Sequence, residues 1–143
     1  MYEKLLNVQM YEKLLNVQRE LGAIQKDSTN PYFKSKYFDI NALLAHVKPV
    51  LNKHGLVIIQ ALTNINGKSA LDTQIIDSEN GKMFRPEPVI LPECADAQKF
   101  GSAITYFRRY AIQTLLALEA EDDDANVATN KITKKVEDNS VPF

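Results

Sequence analysis

The strongest constraint on the fold lies between Leu56 and Ile76. LVIIQAL (Leu56–Leu62) is short and rich in β-branched residues, so it reads as a strand rather than a helix. Asn66-Gly67 follows, a dipeptide that closes tight hairpins because both residues tolerate positive φ. Lys68 to Ile76 then alternates, with Leu71, Thr73 and Ile75 on one face. A chain with this centre contains an antiparallel sheet whose apolar face needs a cover. SENGK (Ser78–Lys82) marks a second turn, and Met83 to Leu91 a third strand. Pro86 and Pro88 place that strand at an edge or end it early, since neither has an amide hydrogen.

Helices supply the cover. Tyr11 to roughly Ile24 carries an apolar stripe of Tyr11, Leu14, Leu15, Val17, Leu21 and Ile24. DSTNPYFKSKYF is a loop, broken at Asn30-Pro31. Asp39 is expected to cap a second helix, its carboxylate accepting free amide hydrogens of the first turn. That helix buries Ile40, Leu43, Leu44, Val47 and Leu51, with Pro49 expected to kink it and Gly55 to end it. Ala97 to Leu118 is the long helix, with Phe100, Ile104, Phe107, Ala111, Leu115 and Leu118 as its stripe. The order α-α-β-β-β-α predicts an α+β fold: an antiparallel three-stranded β-meander with helices, one of them long, packed on one face.

MYEKLLNVQ occurs twice, at Met1–Gln9 and Met10–Gln18. Nine residues at ~100° each make ~900°, half a turn past two full turns. In one helix, Leu5 and Leu6 would face away from Leu14 and Leu15, so both copies cannot bury the same stripe. Residues 1–9 are therefore read as a duplicated segment that is not native; the alternative is a real extension that pairs with another subunit. The expected organisation is that segment, a core domain over 10–118, and a tail over 119–143, acidic and expected to be disordered.

The net charge of −1 hides an asymmetry. Residues 1–118 hold 14 Lys and Arg against 11 Asp and Glu, a balance of +3; residues 119–143 hold 3 against 7, a balance of −4. A mildly basic body with an acidic tail suits a polyanion binder whose tail restrains non-specific contact, and equally a soluble domain with a solvating tail. No apolar run approaches the ~18 residues that cross a bilayer, and the charged start is not a secretory signal. Cys94 stands alone, so no internal disulfide is possible, and a cytoplasmic setting is expected.

Several chemistries are set aside. Asn66-Gly67-Lys68-Ser69 contains the letters of a phosphate loop, but Leu62 stands where the first glycine is required, and strands lie on both sides. Glu119, Glu121, Asp122, Asp123 and Asp124 are contiguous, so their side chains diverge rather than enclose a cation. His46 and His54 read as structural. No catalytic residue, metal ligand or cofactor is expected. Two segments suit a different task. Tyr32 to Phe38 interleaves aromatics with Lys34 and Lys36, which either grip a single strand through phosphates and stacked bases or pin the loop to the core. Tyr106, Arg108, Arg109 and Tyr110 lie on the long helix, with both arginines expected off the buried stripe, either for a phosphate chain or for acidic partners.

NPYFKSKYFDINALLAHVKPVLNKHGLVIIQ (Asn30–Gln60) and GSAITYFRRYAIQTLLALEAEDDDAN (Gly101–Asn126) resemble the two signature blocks of the ERF (Essential Recombination Function) family of phage single-strand annealing proteins. MYEKLLNVQRELGAIQK, from Met10, also resembles a family N-terminus. The resemblance implies the fold of the eukaryotic radiation-repair annealing protein, assembly into rings or filaments larger than a dimer, and ATP-independent annealing of single-stranded DNA in a host bacterial cytoplasm. It turns Lys34, Lys36, Tyr37, Lys99, Tyr106, Arg108 and Arg109 into candidate DNA contacts. It also brings in a phage exonuclease or host single-strand-processing proteins as expected partners. Glu137 to Phe143 separately resembles the acidic tail tip of bacterial single-stranded-DNA-binding proteins, which makes Val141, Pro142 and Phe143 candidate partner contacts. A non-annealing adaptor acting through that tip is the alternative.

Overall fold

The computed structural model describes residues 1–22 and 39–119. The loop around Asn30-Pro31, the tail beyond Glu119, and with them Ile24, Lys34, Lys36, Tyr37, Val141, Pro142 and Phe143, lie outside the described residues. The elements run α1 (Tyr2–Leu21), α2 (Ile40–Lys53), β1 (Leu56–Ile65), β2 (Lys68–Asp77), β3 (Met83–Phe84), β4 (Val89–Ile90) and α3 (Ala97–Leu115). The fold is α+β, with helices on one face of an antiparallel sheet.

The hairpin forms as its turn residues dictate. Asn66 and Gly67 take φ of 52° and 80°, and Asn64 Oδ1 accepts the Gly67 amide at 3.0 Å. Pairing then runs without slippage from Ile65 opposite Lys68 to Leu56 opposite Asp77. Both strands outlast their expected ends, because once the register is set each further pair satisfies two backbones.

The expected third strand does not form as one piece. It is two short strands on the same edge of β2, split by Arg85-Pro86-Glu87-Pro88. Ile75 pairs with Phe84 and Leu71 with Val89, so the four residues 85–88 span what Asp72, Thr73 and Gln74 span on β2. The two prolines cannot donate to the ladder, and the surplus residue bulges. The bulge leaves Arg85 over buried Asp72, with Nε to Oδ1 at 3.2 Å and Nη2 to Oδ2 at 2.7 Å.

The helical layer departs from expectation in phase more than in kind. α1 runs as one helix through both copies of MYEKLLNVQ. Its buried residues are Met10, Val17 and Leu21, flanked by Leu14, whereas Tyr11 and Leu15 are exposed. The half-turn offset is visible: Leu5 and Val8 of the first copy stay exposed while Leu14 and Val17 of the second turn inward. On α2 the expected face is in place, with Ile40, Leu43, Val47 and Leu51 buried and Leu44 packed against them. Asp39 stands at the N-cap, but its carboxylate takes no cap hydrogen bond; only its carbonyl accepts, from Leu43 N at 2.9 Å. Pro49 lies inside α2, which continues past it to Lys53, and Gly55 turns the chain into β1 with φ of 73°. Leu56, Ile75, Ile112 and Leu116 complete the core with the inner residues of α1 and α2.

Polar clamps fix α1 in place. Lys13 Nζ lies 2.8 and 2.9 Å from the two oxygens of fully buried Asp77 and 3.0 Å from Glu79 Oε2. Burial pushes the Asp77 carboxyl up, but the Lys13 ammonium and the Glu79 amide outweigh it and hold the group below its usual range. At the other end Glu20 Oε1 meets Lys53 Nζ at 2.9 Å and His54 Nε2 at 2.8 Å, tying α1 to α2.

Candidate nucleic-acid interface

α3 begins at Asp96, whose carboxylate accepts the Lys99 amide at 2.8 Å. Hydroxyls of Ser102, Thr105 and Thr114 bond back to carbonyls four residues earlier. At ~100° per residue, Lys99, Tyr106 and Tyr110 share a sector of ~40°, and Arg109 lies ~60° from Tyr106. The opposite side carries Ile104, Ala111, Leu115 and fully buried Ile112 towards the sheet and α2.

The outer sector is an aromatic and cationic surface. Tyr106 is 46% exposed. Its ring lies 4.5 Å from that of Tyr110 at 47°, and 5.4 Å from Phe107 edge to face. The Arg109 guanidinium sits 5.8 Å from the Tyr106 centroid, within cation–π reach. One turn or more towards the N-terminus, Lys99 extends into solvent with its Nζ 4.0 Å from Asp96. Such a surface can stack bases on the tyrosine faces and neutralise phosphates with the two cations.

Arg108 does not share that surface. Its Nε donates to Gln60 Oε1 at 3.3 Å, while Gln60 Nε2 donates to the Arg108 carbonyl at 3.2 Å and to Thr73 Oγ1 at 3.1 Å. The side chain therefore crosses from α3 to the inner face of β1, and the arginine pair is split between two sides of the helix. A stripe centred on Phe107 puts both arginines off the buried side; the packed side is turned towards Ile112, which brings Arg108 onto the sheet. Gln60 is a site residue that the motifs alone do not single out. Its signal was available, as the one polar side chain within LVIIQAL.

Beside α3, an open cavity of about 330 Å³ runs between Ala111 and Leu115 on the helix and Phe84, Pro86 and Val89 on the broken edge. Its walls carry no cation and include Glu87, so they do not suit a phosphate chain. Among the described residues no three His, Cys, Asp or Glu side chains gather to hold a metal ion, and no helix is long and apolar enough to cross a membrane.

Comparison with known proteins gives one result. No curated protein and no solved structure matches this chain significantly. The family model described as the ERF superfamily matches residues 10–142, beginning at the second copy of the repeated start and covering nearly the whole chain. The chain belongs to the ERF superfamily.

Proposed function

We propose that the protein binds single-stranded DNA and anneals complementary strands in phage recombination, without ATP. The observation that carries this reading is the outer surface of α3, where Tyr106, Tyr110 and Arg109 cluster and Lys99 lies on the same side about two turns away, in a chain of the ERF superfamily. Annealing asks for little chemistry. The protein has to hold phosphate backbones, leave base edges open, and screen two polyanions from each other. Two neighbouring tyrosines with cations on the same side of the helix support the first two needs. Lys34, Lys36 and Tyr37 belong to the same proposed contact set, whereas Arg108, tied to Gln60 over β1, is left to the fold.

One such surface spans only a few nucleotides, so the protein works as an assembly larger than a dimer, in which many weak sites act together. The resemblance to the radiation-repair annealing fold, with its meander backed by one long helix, belongs to this proposal. So do the bacterial cytoplasm as its setting and an exonuclease or host single-strand-processing protein as partner. The ending EDNSVPF supports a second reading, in which Val141, Pro142 and Phe143 dock a host replication or repair protein and annealing is absent. Mixing two complementary labelled oligonucleotides with and without protein, in the absence of nucleotide, separates the two. The annealing reading expects pairing to accelerate many-fold at saturating protein. An unaccelerated rate, with the tail still capturing a partner, would leave only the adaptor.

A further inference from the structure

The cavity beside α3 does not suit phosphates, yet it adjoins the surface proposed to hold them. Tyr110 and Thr114 are one turn apart on α3, about 6 Å along its axis and ~40° around it. The Tyr110 ring neighbours that of Tyr106 on the outer surface, and exposed Thr114 lines the cavity. A single strand laid along the tyrosines towards the C-terminal end of α3 therefore meets the cavity next.

The cavity has a definite chemistry. Buried Leu71 and Thr73 of β2 line it, and Phe84 and Pro86 present the kind of flat apolar surface on which a heterocycle packs. Among the described residues that line it, the one charge is the exposed carboxylate of Glu87. Pro86 and Pro88 fix φ on either side of Glu87, which restricts where the bulge can carry that carboxylate. The polar atoms accept more than they donate. Glu87 can only accept. Thr114 Oγ1 commits its hydrogen to the Tyr110 carbonyl at 2.7 Å, which leaves its lone pairs. Thr73 Oγ1 takes a hydrogen from Gln60 Nε2 at 3.1 Å and keeps its own to donate. At about 330 Å³ the cavity stands at the small end of ligand sites, which suits one compact group.

We propose that this cavity is a nucleobase site: it takes one unstacked base of the bound single strand and prefers a base with an exocyclic amine to thymine. The proposal rests on the annealing reading and deepens it. Charge selects the occupant. Glu87 repels phosphate, so the strand turns a base into the cavity and leaves its backbone on the cationic side of α3. The amine of cytosine donates to a carboxylate, and the ring nitrogen beside it accepts from a hydroxyl. Thymine in the same position turns a carbonyl oxygen towards Glu87. A base held by its pairing edge cannot pair, so it leaves the cavity as the complementary strand arrives.

The test is fluorescence anisotropy of labelled oligo-dC, oligo-dT and oligo-dU of equal length with the full chain. All three are pyrimidine strands, and cytosine differs from uracil by the amine. The expected result is binding of oligo-dC about five-fold tighter than of the other two, the low end of what one base contact discriminates. Glu87→Gln should remove the preference, because its amide both donates and accepts. Ala111→Leu fills the cavity from α3 with a good helix former. It should lower oligo-dC affinity to that of oligo-dT and leave the salt slope unchanged, since no phosphate contact is lost. Should Ala111→Leu fail to fold by circular dichroism, Glu87→Gln decides, because Glu87 is exposed and outside the core. Equal affinities for the three strands, a preference for oligo-dT, or a preference that survives Glu87→Gln or a folded Ala111→Leu would each overturn the inference and leave the annealing reading standing. A chain that binds none of the three strands would sink the annealing reading and the base site together.

Discussion

Arg108 and Arg109 are adjacent in sequence, yet their environments predict different phenotypes. Arg109→Ala removes a cation from the outer surface of α3 and disturbs a cation–π contact with Tyr106 at 5.8 Å. At an exposed site that contact contributes ~0.5 kcal/mol, so the melting temperature should fall by no more than ~4 °C. Its main effect is on DNA. Losing one phosphate contact lowers the log–log salt slope for a single strand by ~0.7. Between 50 and 200 mM salt, the affinity deficit of the variant should then shrink by a factor of ~2.6. Arg108→Ala instead removes the partner of Gln60 Oε1 at the α3–β1 contact and costs ~1 kcal/mol, or ~4–8 °C for a domain of this size. Fluorescence anisotropy of a labelled oligonucleotide across a salt series, beside differential scanning calorimetry, reads both quantities. An Arg109→Ala variant with the parent's slope and affinity would remove the outer surface of α3 from the DNA site. An Arg108→Ala variant that melts with the parent would show that the Gln60 contact contributes nothing to the fold.

Asp77→Ala should destabilise the fold by ~1–3 kcal/mol in urea titrations, because it removes both hydrogen bonds between the Lys13 ammonium and the buried carboxylate and leaves Lys13 with Glu79 and solvent. The folded Asp77 carboxyl is held below its unfolded value, so its contribution is complete above about pH 4 and fades as pH falls further; the parent should lose stability more steeply than Asp77→Ala below pH 4. Deleting residues 1–9 should change stability by less than ~1 kcal/mol, since Leu5 and Val8 are exposed and the polar contacts of that stretch with the body, among the described residues, are a Glu3–Lys82 pair at 3.9 Å and a Gln9–Asn80 bond at 3.4 Å; a drop of many degrees would refute this. Removing residues 119–143, which carry a net −4, should raise oligonucleotide affinity at low salt and have little effect at high salt, and equal affinities at low salt would dispose of competition between tail and DNA.

What the sequence disclosed and what it withheld divide along the range of the interactions. The hairpin was legible because Asn66-Gly67 carries its own backbone chemistry, and Pro86 and Pro88 announced a damaged edge for the same reason. Helix phase was less legible. Met10 opens a repeat and falls off the apolar stripe, yet it is buried; Tyr11 and Leu15 fall on the stripe, yet they are exposed. Each residue advances a helix by ~100°, so an error of one position on α3 was enough to misplace Arg108 while leaving Arg109 where it was expected. The clamps were beyond reach. Lys13 and Asp77 are 64 residues apart, and neither sits in a pattern that names the other. Arg85 finds Asp72 only because a surplus residue bulges between two prolines, a geometry set by the register of β2 and not by the local sequence. The candidate site follows the same division. Its composition, two tyrosines and two arginines on one helix, was readable from the chain. Its division into an outer face and a sheet-anchored arginine depends on Gln60, a partner 48 residues away that only the folded arrangement of β1 against α3 brings into contact.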